Sequence, residues 1–131
     1  MKLGITYNVF DSEELLEYSI KQVRDFAHII SVVYQNVSNF GETNPNLLNT
    51  LNELKNKGLI DILVEYSPNI EKDINNEIKI ANGTKNEQDK RNIGIDISRA
   101  NGCDIFMNMD CDELYDKVEF EWALNDFKMG G

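Results

Sequence analysis

At 131 residues, 41% hydrophobic and 27% charged, the chain has the length and composition of one soluble domain with a sizeable core. Its 23 acidic against 13 basic side chains, a formal net charge of −10, exclude non-specific nucleic-acid binding, which needs clustered Lys and Arg. No apolar run approaches the ~20 residues that cross a bilayer, and the opening Met1 to Asn8 lacks the apolar stretch of a signal peptide.

Cys103 and Cys111 are too few and too close for a disulfide framework and read as free thiols. The expected location is therefore cytoplasmic, with a peripheral place at the inner membrane surface left open.

Lys2 to Val9 alternates loosely, which predicts a first strand ending in Thr6-Tyr7-Asn8. A helix follows, with Asp11 and Glu14 spaced as a capping box and Leu15, Leu16, Ile20, Val23 and Phe26 as its apolar stripe. His28 to Tyr34 is short and β-branched, hence a buried strand; His28, the one histidine, reads as structural. Ser38 to Asn46 reads as loop. Asn44-Pro45 then opens a helix with Pro at its first position, Leu47, Leu48, Leu51 and Leu54 on one face and Gly58 as its stop.

Leu59 to Tyr66 is a third strand. Ser67 to Asn86 is polar and reads either as a short amphipathic helix or as a loop. Thr84 with Glu87 is a second capping box, for a helix facing the core with Ile93, Ile97 and Ala100 and ending at Asn101-Gly102. A strand over Asp104 to Met109 comes next, then a last helix over Glu119 to Phe127. Trp122 and Tyr115 are expected to pack on the sheet.

Strands alternating with helices predict an α/β fold: a mostly parallel sheet flanked by helices on both faces, Rossmann-like in outline. Ligands of such sheets bind beyond the carboxyl ends of the strands. There the fourth strand ends in Asp110-Cys111-Asp112-Glu113, acids with no use in a core. Asp110 and Asp112 are one residue apart, so in extended chain both carboxylates reach one site. Hard oxygen donors suit Mg²⁺ or Mn²⁺, usually shared with substrate phosphates, and such an ion would let an acidic protein take an anionic ligand.

The same residues serve blander ends elsewhere. Acid pairs cap helices or decorate loops, Arg91 would be an ordinary surface cation, and Thr6-Tyr7-Asn8 an ordinary turn. Other chemistries lack their signatures. The acidic stretch has no Gly at the sixth place of an EF-hand loop. No Gly-Lys-Ser/Thr forms a P-loop, and one histidine leaves no Cys/His zinc set. An aspartyl-nucleophile phosphatase would carry its acids after the first strand. A nucleotidyltransferase would carry a Gly-rich basic loop there, where this chain has Asn8-Val9-Phe10-Asp11.

Three segments in order carry a resemblance: Ile5-Thr6-Tyr7-Asn8 with an acidic helix start, Lys90-Arg91-Asn92-Ile93-Gly94, and Asp110-Cys111-Asp112. Together, over roughly residues 3 to 127, the chain resembles the family-2-like glycosyltransferases of GT-A fold, in their nucleotide-sugar-binding half. The resemblance implies a nucleoside-diphosphate sugar held through Mn²⁺ or Mg²⁺ and a sugar transferred to a glycan, lipid or protein acceptor. It implies that Thr6, Tyr7, Asn8 and Gln35 embrace base and ribose, and that Arg91 meets the diphosphate. Asp112 would bind the metal directly, and Asp110 would meet the ribose or a metal-bound water.

Complete domains of that family are considerably longer, with acceptor contacts and the carboxylate base in their second half. The expectation is thus a single truncated domain over residues 1–131, a fragment of an enzyme. The alternative is a non-catalytic nucleotide-sugar-binding or interaction module. An uncovered sheet edge or apolar face would also favour a homo-oligomer.

Overall fold

The computed structural model describes residues 2–35, 43–67 and 76–128, with the backbone alone for 76–83. Strands and helices alternate: β1 Leu3–Val9, α1 Glu13–Val23, β2 Ala27–Tyr34, α2 Leu47–Asn56, β3 Ile62–Glu65, α3 Asn76–Ala100, β4 Ile105–Asp110 and α4 Lys117–Lys128. A single 3-10 turn, Arg24–Phe26, joins α1 to β2.

The strands are all parallel, in the order β3-β2-β1-β4. The fold is therefore α/β and Rossmann-like, as the alternation of elements predicts. From β1 the chain steps outward through β2 to β3, then returns to place β4 on the far side of β1. Right-handed crossovers put α1 and α2 on one face of the sheet and α3 on the other.

The pleat sorts side chains between those faces. Toward α1 and α2 point Ile5, Tyr7 and Val9 of β1 and Ile30, Val32 and Tyr34 of β2. They meet Leu16, Ile20 and Val23 of α1 and Leu47, Leu51 and Leu54 of α2 in one apolar cluster. Each such side chain, fully removed from water, contributes about 1.5–3 kcal/mol. The cluster holds the fold.

The other face is built differently. Thr6 pairs in register with Ser31 and Asn108, and Asn8 with Asp110, so a polar row runs beneath α3. Thr6 Oγ1 lies 2.9 Å from Ser31 Oγ. Helix α3 meets this row with Asn86, Lys90, Gly94 and Ser98, all buried and spaced by four. A Cβ on Gly94 would fall 2.5 Å from both Thr6 Oγ1 and Thr6 Cγ2. The helix sits this close because position 94 has no side chain.

That row corrects the predicted core face of Ile93, Ile97 and Ala100: the isoleucines are half-buried and Ala100 is exposed. Apolar spacing counts bulk, whereas a helix seated directly on a strand selects small residues. The Thr84–Glu87 capping box is not a helix start either, because α3 runs through it from Asn76. Tyr66 fastens this early part of α3, its hydroxyl donating to Asp89 Oδ2 at 2.9 Å and lying 3.1 Å from Asn86 Oδ1. Residues 38–42 of the expected loop and 68–75 of the Ser67 to Asn86 stretch lie outside the described residues; from Asn76 onward that stretch is helix, part of α3.

Other boundaries shift by less. Asp11 and Glu14 form no capping box; Ser12 precedes α1 in the left-handed region at φ 58°, with no side-chain cap. Pro45 lies in a turn, and Asn46 is the residue before α2. Strand β3 is shorter than Leu59 to Tyr66: at its start the Asp61 N–H donates to Ile30 O at 2.9 Å, but the Asp61 carboxylate, in place of a backbone carbonyl, accepts the Ile30 N–H at 2.8 Å. Gly58 and Gly102 end their helices at φ 79° and 80°, as predicted.

Helix α4 is capped by Asp116, whose Oδ1 accepts the N–H groups of Val118 and Glu119 at 2.9 and 3.2 Å. Phe120 anchors it between Phe26 and Tyr115. Trp122 does not pack on the sheet; it is 77% exposed, on the side of α4 away from Phe120. Among the described residues, no helix is long and apolar enough to cross a membrane.

Candidate functional site

In the order β3-β2-β1-β4 the direction of winding reverses between β1 and β4. The segments leaving those two strands diverge to opposite faces, which opens a crevice at their carboxyl ends. A cavity of about 230 Å³ lies there, lined by Asn8, Phe10, Asp11 and Ser12 after β1 and by Asp110, Cys111 and Asp112 after β4.

The two rims are held by separate devices. On the β1 side, Asn44 Nδ2 donates to Phe10 O at 2.8 Å and to Glu13 Oε2 at 3.2 Å, tying the turn to the chain before α2. Ser12 keeps its left-handed backbone inside this brace. Such a conformation is uncommon for a residue with a Cβ, and it bends the chain around the cavity.

On the β4 side, Glu113 closes a turn: its N–H donates to Asp110 O at 3.1 Å, and its Oε1 accepts the Asp110 N–H at 3.3 Å. Beneath the turn, Tyr7 OH donates to Ser19 Oγ at 2.8 Å, and Ser19 Oγ donates to Glu113 O at 2.6 Å. A buried relay thus links β1, α1 and the acidic turn. Alternation through Asp110-Cys111-Asp112 then sends Cys111 into the apolar cluster and the two carboxylates to the cavity.

The electrostatics follow from this crowding. Burial first, then the Asp112 and Glu87 carboxylates, push the Asp110 carboxyl above its ordinary range, while Arg91 and Lys90 pull it back. The Cys111 thiol is pushed up to about 12, by burial foremost and then by Asp110, Asp11, Asp112 and Glu13. Cys111 is therefore a packed thiol and not a nucleophile. Asp11 and Glu13 stand on the α1 side of the crevice; on the α3 side the cations Lys90 and Arg91 have the Glu87 carboxylate among them.

Of the predicted residues, the structure brings Asn8, Asp110 and Asp112 together around one cavity. Arg91 is exposed on α3, within electrostatic reach of Asp110. Thr6, Tyr7 and Gln35 do not line the cavity. Thr6 lies under Gly94, Tyr7 is buried on the α1 face with its hydroxyl on Ser19, and Gln35 is buried at the end of β2, its N–H donating to Val9 O at 2.9 Å. Neighbours on a strand point to opposite faces, so only the last residue of the turn clears the sheet edge.

Two contributors had no mark in the sequence reading. Ser19 looks like a polar interruption of a helix, and its spacing of six from the Glu13 helix start says nothing of a relay. Lys90 looks like a surface lysine, yet it is 4% exposed.

The donors fit a hard divalent cation in kind. Asp110 and Asp112 supply carboxylate oxygens, and Asn8 Oδ1 is a buried amide oxygen without a hydrogen-bond partner among the described residues. No group of three His, Cys, Asp or Glu side chains gathers as a metal cage among the described residues. Two carboxylates leave coordination places for a ligand's own oxygens, the usual arrangement for Mg²⁺ at a phosphate.

A second groove, of about 540 Å³, runs between β4 and α4, lined by Ile105, Met107, Phe120, Leu124 and Phe127 among others. It is apolar apart from Glu119 and Tyr115. Comparison with family models, curated proteins and solved structures finds no match for this chain.

Proposed function

We propose that this chain is the donor-binding domain of a metal-dependent glycosyltransferase, taking a nucleoside-diphosphate sugar at the crevice between β1 and β4. The observation that carries the reading is the meeting of Asn8, Asp110 and Asp112 in one cavity at the point where the strand order reverses. Its second support is the ordered likeness of the β1 turn, the Lys90-Arg91-Asn92 helix and the acidic strand end to family-2-like enzymes of GT-A fold.

In this reading Asp112, exposed at the tip of the turn, and Asp110 hold Mn²⁺ or Mg²⁺, and Asn8 offers its amide oxygen beside them. When bound, the cation supplies Lewis-acid relief of the charge that builds on a nucleoside-diphosphate leaving group. Arg91 orients phosphate oxygens from the α3 side. The Tyr7–Ser19–Glu113 relay keeps both carboxylates aimed at the cavity.

One observation favours the more modest reading, a module that binds the donor without transferring it. Glu113, the acid that follows in the chain, is committed to the turn: its Oε1 takes the Asp110 N–H, and its Oε2 lies 3.4 Å from the Tyr115 hydroxyl. It is no base for an acceptor, and among the described residues lining the cavity Asp11 is the one further acid beside the two carboxylates.

Calorimetry with UDP, GDP and dTDP, each with and without Mn²⁺, tests the shared core of both readings. Binding of at least one nucleotide that requires the metal is expected. Failure of all three in its presence overturns the proposal. Asp112→Ala should abolish the metal-dependent part while changing unfolding free energy by less than about 0.5 kcal/mol, since an exposed acid holds no core together. Release of free nucleoside diphosphate from a bound donor sugar then separates transferase from module.

A further inference from the structure

Helix α3 lies antiparallel over β1 in a fixed register: Ser98 faces Gly4, and Gly94 faces Thr6. Four helical residues advance about 6 Å and two strand residues about 6.6 Å. The next step therefore sets Lys90 over Asn8, whose register partner is Asp110. A lysine is thus carried to the α3 side of the crevice.

Its surroundings are incomplete for a buried ammonium. The Lys90 side chain is 5% exposed, and among the described residues its Nζ has one hydrogen-bond acceptor, Glu87 Oε1 at 2.7 Å. An ammonium has three N–H donors. On the facing strands, Asn8 Oδ1 and Asn108 Oδ1 are buried without partners among the described residues. Glu87 is 43% exposed, so the pair opens outward at its carboxylate end, beside Asp110. Buried polar groups are normally satisfied; here the spare donors of Lys90 face the spare acceptor of Asn8, which lines the cavity, and that of Asn108 one step back along β4.

Resting on the donor-site reading above, we propose that Lys90 is a phosphate-binding cation of this cleft. Glu87 holds its ammonium until a phosphate oxygen takes the place of that carboxylate. The charges agree: Asp11, Asp110 and Asp112 line the cavity and suit a cation, while on the α3 side Lys90 and Arg91 outnumber the Glu87 that Lys90 would release and suit the anionic diphosphate. No bond is made or broken; one acceptor replaces another.

The probe is inorganic pyrophosphate with Mg²⁺, titrated into wild type, Lys90→Gln, Lys90→Arg and Glu87→Gln, with thermal unfolding as the control for folding. Loss of a charged hydrogen bond predicts affinity about tenfold to a hundredfold weaker in Lys90→Gln, with partial retention in Lys90→Arg. Glu87→Gln should bind severalfold tighter, because the ammonium no longer leaves a carboxylate; a purely structural ion pair would give no such gain.

Wild-type affinity in folded Lys90→Gln overturns the assignment. Should Lys90→Gln fail to fold, Glu87→Gln decides, and equal or weaker binding there overturns it. If wild type binds a metal–nucleotide complex and Lys90→Gln binds it equally well, this assignment alone falls. If wild type binds neither pyrophosphate nor any of the three nucleotides with metal, the donor-site reading falls too.

Discussion

The two faces of this sheet share four strands and little else. Toward α1 and α2 the strands present Ile5, Tyr7, Val9, Ile30, Val32 and Tyr34, and one hydroxyl relay is the polar exception. Toward α3 they present Gly4, Thr6, Asn8, Ser31, Asn108 and Asp110, with the buried Ile29 and Val33 among them, against a helix row of Asn86, Lys90, Gly94 and Ser98. Apolar burial is non-directional and stabilises wherever shapes fill. Polar groups demand partners, so a face rich in them spends stability on position. The first face keeps the domain folded, and the second places groups at the crevice.

The sharpest break of that contrast is in the apolar cluster. Leu51→Ala removes a wholly buried side chain and should cost about 2–5 kcal/mol in urea unfolding. A loss below about 1 kcal/mol would mean that the cluster is not the main support.

Gly94→Ala tests the other face. The new methyl meets Thr6 at its Cβ, 2.7 Å away, which no rotamer relieves. A cost of about 1–3 kcal/mol is expected, recovered in part by adding Thr6→Ala. Simple additivity of the two substitutions would show that the helix is seated elsewhere.

A smaller effect separates the faces by pH. Since burial and Asp112 raise the Asp110 carboxyl, the folded chain holds that proton more tightly than the unfolded one. Its contribution to stability is present below the ordinary carboxylate range and is lost as pH rises through the raised value. Asp110→Asn should therefore gain on wild type in denaturant unfolding as pH rises from below to above the ordinary carboxylate range. A widening deficit over that interval would refute the sign. Divalent-metal affinity of the wild type should climb over the same interval, as the competing proton leaves.

Smallest of all is Trp122→Ala. On α4, outside both faces and 77% exposed, it should change unfolding free energy by less than about 0.5 kcal/mol. A larger loss would give α4 a part in the core beyond Phe120.

The sequence was most legible where burial is two-sided. Loose alternation marked β1, a short β-branched run marked β2, and glycines at positions 58 and 102 marked two helix ends. The acids at 110 and 112, placed after an apolar run, marked the crevice before any topology was known. It was least legible in α3, where Ile93 and Ile97 mimic a core stripe while Asn86, Lys90, Gly94 and Ser98 make the contact. The Thr6-Tyr7-Asn8 turn was legible as a strand end, but not in which of its three side chains reaches the cavity; the pleat leaves that to Asn8.

By itself the amino-acid order determined the alternation of elements, and hence a parallel sheet with acids at a strand tip. These are local matters of periodicity and polarity, carried by neighbours along the chain. Tertiary structure alone decided that β4 returns beside β1, that Tyr7 and Ser19 brace the acidic turn, and that Lys90 is brought over Asn8. Those outcomes join residues far apart in the chain, and packing between layers, not local preference, selects them.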